Sequence, residues 1–300
     1  MHPFRHTPAA AFLVGSIGIA LFSGMDAVMK GLVLAIGAFA TMFWRSFATV
    51  GLSAALYLPG RKGWPGKRAL RLHVARGLLS TVMGLLFFWG IGRVPLAQAI
   101  ALAFIAPLIA LYLAAVWLGE TVDRRTVAAS VVAFAGVLVI FLGQARADLG
   151  SEALLGSVAV LVSAVCYAVN IILMRQQSLA AGPQEIAFFQ NLTVCAALFA
   201  ALPFVGAAPP PAEQWPPLLL AALLSVTSML LLSWAYARAE ASYLATTEYT
   251  AFLWAALFGW LFFAEPVSAF TLAGALLIVA GCILAARRPQ QASPALEAVA

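Results

Sequence analysis

Charge is what this sequence has least of. Asp, Glu, Lys and Arg make up 9 % of its 300 residues, against 64 % hydrophobic ones, and a soluble domain of this size could not cover that much apolar surface. Cysteine and histidine are scarce too, with three of each. Cys166, Cys195 and Cys282 stand singly in apolar runs, so no disulfide framework or metal motif is implied and they read as small packing residues. His2, His6 and His73 fall in or beside the loops, which denies an intramembrane serine hydrolase the base it needs next to a spanning Ser. No cluster of Asp, Glu and His offers itself to a catalytic metal, and no glycine-rich nucleotide loop is present. These absences argue against an enzyme, against any cofactor and against an ATP-driven pump.

Long apolar runs fill the space that charge leaves, and the mean hydropathy is +0.99. Stretches of about 20 apolar residues, enough to cross a hydrocarbon core, occur near 9–31, 37–58, 72–92, 96–118, 125–142, 153–174, 184–204, 216–237, 242–263 and 268–286. They exceed barrel strands in length and lack strict alternation, so they are helices. The expectation is an all-α membrane protein of ten transmembrane helices. Nine further spans make the first of them helix 1 of the protein, not a cleaved signal.

Arg and Lys set the orientation, because short loops rich in them stay in the cytoplasm. Arg61, Lys62, Lys67, Arg68 and Arg71 follow the second span, and Arg5, Arg124, Arg125, Arg175, Arg238, Arg287 and Arg288 fall on the same side of a ten-helix chain. The other side holds Lys30, Arg93 and Arg146 among acidic residues. Both termini are therefore expected in the cytoplasm, with the chain multi-pass in a bacterial inner (plasma) membrane. The net charge of +6 flanks the spans and forms no aromatic-interleaved groove, so nucleic acid is not an expected partner. The lipid bilayer and a small-molecule substrate are, and a monomer is the working expectation.

The chain is also written twice. Ser80 recurs as Ser225, Trp89 as Trp234, Arg93 as Arg238, Glu120 as Glu265, Thr126 as Thr271 and Gly136 as Gly281, all 145 residues apart. Each copy holds five spans, an odd number, so the copies face opposite ways across the bilayer in the inverted-repeat manner of transporters. This divides the chain into repeats at 1–147 and 148–288 and a short cytoplasmic tail at 289–300.

Ala106-Pro107, the Trp117-Leu118-Gly119-Glu120 helix end followed by Gly136, and the second copy from Glu248-Tyr249-Thr250 through Gly259-Trp260 to Glu265-Pro266 and Gly281 resemble the EamA-type branch of the drug/metabolite transporter superfamily. Phe252 stands where Pro107 would predict a proline, and Ala264 where Gly119 would predict a glycine. The resemblance implies export of small metabolites by alternating access around a mid-membrane cavity. Length and aromatic content look most like bacterial exporters of aromatic and other hydrophobic amino acids. Export of lipophilic cationic drugs is the alternative.

Candidate substrate-binding residues are the polar ones that spans carry at a desolvation cost. Asp26 and Arg45 lie at matching depth in the first two spans, with Lys30 one turn beyond Asp26. They are read either as a structural ion pair with Lys30 snorkelling to the headgroups or as part of the transport path. Glu248 stands two turns into the ninth span, next to Thr247 and at the repeat position of Ala103, whose carbonyl Pro107 leaves without its helical donor; it is read either as an acceptor for an ammonium group or as an interhelical hydrogen-bonding group. Ser80, Gln98, Tyr167 and Asn170 complete the set, with Tyr167 placed to stack on an aromatic substrate. Helices 5 and 10 carry almost no polar residues and read as peripheral braces.

Overall fold

The computed structural model describes residues 8–61, 63–106, 108–110, 112–113, 124–146, 150–178, 180–236 and 250–286. Ten α-helices are described: α1 (Pro8–Ile36), α2 (Ala38–Tyr57), α3 (Lys67–Ile91), α4 (Leu96–Ala103), α5 (Arg124–Arg146), α6 (Gly150–Ser178), α7 (Pro183–Val205), α8 (Trp215–Tyr236), α9 (Thr250–Phe263) and α10 (Ala269–Ala286). Each overlaps one apolar segment expected from sequence. By length and composition α1, α3, α6, α7 and α8 can each cross a bilayer. Large apolar side chains such as Leu13, Val131, Leu253 and Leu276 line the exterior, as a protein solvated by lipid tails requires.

Local chemistry sets the helix ends. Gly37 alone separates α1 from α2, and it holds φ at 82°, a left-handed conformation that suits glycine. Its N–H bonds Val33 O at 2.9 Å and its carbonyl accepts from Thr41 N and Thr41 Oγ1, so one residue reverses the chain. Past Ala103 the ladder of α4 tightens, with Phe104 N shared between Ile100 O and Ala101 O and Ile105 N bonding Leu102 O. Pro107 follows in the sequence and cannot continue the ladder.

The two halves interleave. α1 packs on α8, α3 on α6, α2 on α7 and α5 on α10, with further contacts of α1 on α9, α4 on α6, α2 on α8 and α3 on α7. Every one of these pairs takes one helix from the first five and one from the last five. Exchanging each helix for the one five places away maps the set onto itself, since α1 on α8 becomes α6 on α3. The correspondence reaches single bonds. Ser228 Oγ donates to Gly18 O at 2.8 Å between α8 and α1, and Ser163 Oγ donates to Met83 O at 2.9 Å between α6 and α3. Positions 228 and 83, like 163 and 18, are 145 apart.

Small residues permit this closeness, because helices in lipid associate through packing more than through water exclusion. A Cβ on Gly90 would lie 2.8 Å from Gly156 O; the same offset places Ala235 and Ala11 at the α8–α1 crossing, both fully buried. A Cβ on Gly136 would stand 2.6 Å from Gly274 O, and one on Gly274 equally near Gly136 O. Helices α5 and α10 are thus each other's chief neighbours, at the margin of the bundle.

Gly136→Val is expected to force α5 from α10 and destabilise the protein by about 3 kcal/mol or more, at the upper end for overpacking. Gly51→Ala, inside α2 and meeting no atom within 4 Å, is expected to stabilise the protein by up to about 1 kcal/mol. Thermal unfolding of the purified protein in detergent checks both.

Candidate functional site

The inner face of α1 is polar along one stripe. Ser16, Ser23, Asp26 and Lys30 stand 7, 10 and 14 residues along from the first, positions that share one side of a helix over about 21 Å. Ser16 Oγ, Ser23 Oγ and both carboxylate oxygens of Asp26 are buried and have no hydrogen-bond partner among the described residues. Across from them on α2, Arg45 Nε is in the same condition. Arg45 Nη1 lies 3.9 Å from Met25 Sδ, and the guanidinium stands 5.6 Å from the centre of the Phe88 ring.

Asp26 and Arg45 are within range of each other's charge, yet no hydrogen bond or ion pair joins them among the described residues. The ion pair expected from their matching depth is therefore not made. Equal depth fixes position along the helices and does not by itself bring the two heads within hydrogen-bonding distance. Buried groups of this kind take partners from water or from a ligand.

Lys30 does not snorkel. It is 3 % exposed, donates to Val94 O at 2.7 Å and is ion-paired with Glu265 Oε1. Glu265 Oε2 accepts from Leu96 N at 2.9 Å, placing negative charge on the N-terminus of α4. One carboxylate therefore ties α1, the α3–α4 junction and the α9–α10 junction together, one helical turn beyond Asp26. Ala264 aims it. This residue holds φ at 53°, the left-handed region for which the repeat would supply a glycine, and the turn lets Glu265 N bond Gly259 O at 3.1 Å.

A second polar cluster joins α3, α6 and α7. Arg76, 8 % exposed, donates from Nε to Asn170 Oδ1 at 2.9 Å and from Nη1 to Gln177 Oε1 at 2.6 Å. Ser80 Oγ donates to Asn170 Oδ1 at 3.4 Å and accepts from Gln190 Nε2 at 3.1 Å. Gln177 Nε2 lies 2.5 Å from His73 Nδ1, and His73 Nε2 lies 3.1 Å from Glu185 Oε1. His73 is fully buried and stacks on Phe189 at 5.2 Å, so its expected place in or beside a loop is corrected: it is interior to α3.

The expected site residues are thus distributed. Asn170 and Ser80 meet around Arg76, and half-exposed Tyr167 is within range of its charge. Asp26 and Arg45 belong to the α1–α2 cluster. Gln98 is spent on a bond to Ser157 Oγ at 3.0 Å between α4 and α6. Glu248 and Thr247 lie outside the described residues. Sequence reasoning missed Arg76 and Glu265. Arg76 follows Arg68 and Arg71 closely enough to pass for one more flanking cation, although it stands five residues inside its span; Glu265 passes for a loop charge.

An EamA-like transporter family model matches the chain twice, over residues 9–142 and 154–287. The chain belongs to the EamA-like transporter family. It is 28 % identical over 271 residues to the pseudopaline exporter CntI of Pseudomonas aeruginosa strain UCBPP-PA14, covering 89 % of this chain and 92 % of that one. It is also 28 % identical over 295 residues to a riboflavin transporter of Rhizobium johnstonii, covering 96 % and 93 %. A crystal structure 21 % identical in sequence superposes with a TM-score of 0.62 over 94 % of this chain and 100 % of that one, which establishes a shared fold. This transporter is a multi-pass membrane protein of the drug/metabolite superfamily.

Glu265→Gln is expected to leave Lys30 charged and buried without its counter-ion and to destabilise the protein by about 3 kcal/mol. Lys30→Met with Glu265→Gln should cost less than the sum of the two single changes. A double-mutant cycle on thermal unfolding reads the coupling.

Proposed function

We propose that the transporter exports small zwitterionic metabolites with aromatic or other hydrophobic side chains, the hydrophobic amino acids above all. The observation that carries the reading is a pair of enclosed charged atoms without hydrogen-bond partners among the described residues on neighbouring helices, the Asp26 carboxylate oxygens and Arg45 Nε. An α-amino acid has an ammonium group for the first and a carboxylate for the second, and Phe88 beside Arg45 supplies an apolar wall for its side chain. The exporter relative supports the outward direction. The riboflavin relative supports a conjugated ring as tolerated cargo.

The path runs along the stripe of Ser16, Ser23 and Asp26, and the Lys30–Glu265 bond closes it at the C-terminal end of α1. The two halves are inverted repeats that rearrange as rigid bodies for alternating access, with repeats at 1–147 and 148–288 and both termini in the cytoplasm of a bacterium. The double family match and the exchange symmetry of the helix packing support the repeat, and the run of Arg and Lys after α2 supports the orientation. Arg175 and Glu120 stand 145 positions from Lys30 and Glu265 in the sequence, so each copy carries charges of the same two signs at matching places. Glu248 and Thr247, which precede α9 in the sequence, keep their assignment as substrate contacts.

Export of lipophilic cations is the second reading, favoured by the orphaned Asp26 taken without Arg45. Exchange of labelled phenylalanine in proteoliposomes separates the two. On the leading reading Asp26→Asn and Arg45→Gln each lower exchange at least tenfold. On the second, phenylalanine is not exchanged by the wild type and a lipophilic cation is, with loss in Asp26→Asn alone.

A further inference from the structure

We propose that Arg76 is a second ligand-binding centre of the transporter, an anion site that takes the carboxylate of an organic acid between α3, α6 and α7. A guanidinium inside a membrane span is normally neutralised by a carboxylate partner. Arg76 has none among the described residues: Nε and Nη1 are held by the side-chain amide oxygens of Asn170 and Gln177, both neutral. The acid of this network, Glu185, reaches it only through His73 and Gln177. The positive charge is therefore fixed in place, oriented by two bonds and left uncompensated.

Its remaining nitrogen, Nη2, carries no bond to a described residue and is not among the fully enclosed polar atoms without partners. It is the free arm of a guanidinium that commits two of its five N–H donors, one on Nε and one on Nη1, to described residues, and a planar fork of this kind suits a carboxylate better than an ammonium would. Half-exposed Tyr167 on α6 stands within range of the same charge, offering an aromatic face to the body of the acid. Ser80 and Gln190 brace Asn170 from behind, which holds the site's geometry whether or not a ligand is present. The α1–α2 cluster has the opposite character. There both signs are unpartnered, whereas here one positive charge is held by neutral groups, so the two centres differ in what they select.

The test is isothermal titration of the full-length protein in lipid nanodiscs with phenylacetate, which carries the anion alone, and phenethylamine, which carries the cation alone. In an Arg45→Gln background, which removes the carboxylate-binding cation of the α1–α2 cluster, the protein is expected to bind phenylacetate, and adding Arg76→Gln to weaken it at least tenfold with phenethylamine unchanged. Asn170→Asp guards against misfolding, because it keeps the shape of the site and gives Arg76 an internal carboxylate on the atom that already accepts its bond. It is expected to abolish phenylacetate binding with no loss of thermal stability. Absence of phenylacetate binding in the Arg45→Gln background, or binding there that survives Asn170→Asp, overturns the inference. The amino-acid reading fails separately, if phenethylamine binding is indifferent to Asp26→Asn while the response of phenylacetate to Asn170→Asp stands.

Discussion

A polar atom inside an apolar slab must find a partner or carry the cost of lacking one, and this chain meets that demand nearly everywhere. Serines close the α1–α8 and α3–α6 crossings by donating to backbone carbonyls. Gln98 answers Ser157, Lys30 answers Glu265, and seven side chains from Glu185 to Gln190 are linked by hydrogen bonds across α3, α6 and α7 that leave only the Arg76 charge without a counter-ion among the described residues. Against that background the exceptions are informative. Ser16 Oγ, Ser23 Oγ, both Asp26 carboxylate oxygens and Arg45 Nε are enclosed without a hydrogen-bond partner among the described residues, all on two consecutive helices. A bundle with no cargo gains nothing from such groups.

The small residues at the crossings make this arrangement possible. With glycine or alanine where α3 meets α6 and α1 meets α8, backbones come close enough for a serine to bond the neighbouring helix directly. The same closeness holds the two halves in register at many points, so a rearrangement carries whole helices. The Lys30–Glu265 bond then has a defined task. It joins both halves one turn beyond Asp26, and its carboxylate follows a left-handed alanine that holds its conformation at a cost of about 1–2 kcal/mol.

The ten helices, their order and the duplication were legible in the sequence, because hydrophobic length and a fixed offset survive without knowledge of packing. So was the inventory of polar residues: Asn170, Ser80, Asp26 and Arg45 were all found as groups that a span does not carry idly. Their partners were not legible. Asp26 and Arg45 share a depth that residue counting reveals, but their separation depends on helix rotation, which the low amphipathicity of these spans leaves unmarked. Glu265 meets Lys30 across 235 residues, with no local pattern to announce it. Arg76 was hidden by its basic neighbours. The one local clue that could have drawn attention to Glu265 was Ala264 in the place of a repeat glycine, a departure that coincides with the turn aiming its side chain.

The central claim is that the polar stripe of α1 is a water-accessible path through a lipid-solvated bundle. Its most direct test is thiol labelling of Ser16→Cys and Ser23→Cys in a background without Cys166, Cys195 and Cys282, using a charged, membrane-impermeant reagent on proteoliposomes. Leu13→Cys and Ile17→Cys, on the exposed apolar face of the same helix, serve as controls. The account predicts that the two serine positions react, are protected by the transported substrate, and react while their lipid-facing neighbours stay inert. Serine positions as inert as Leu13 and Ile17 would contradict it and make the stripe a packing feature of the fold.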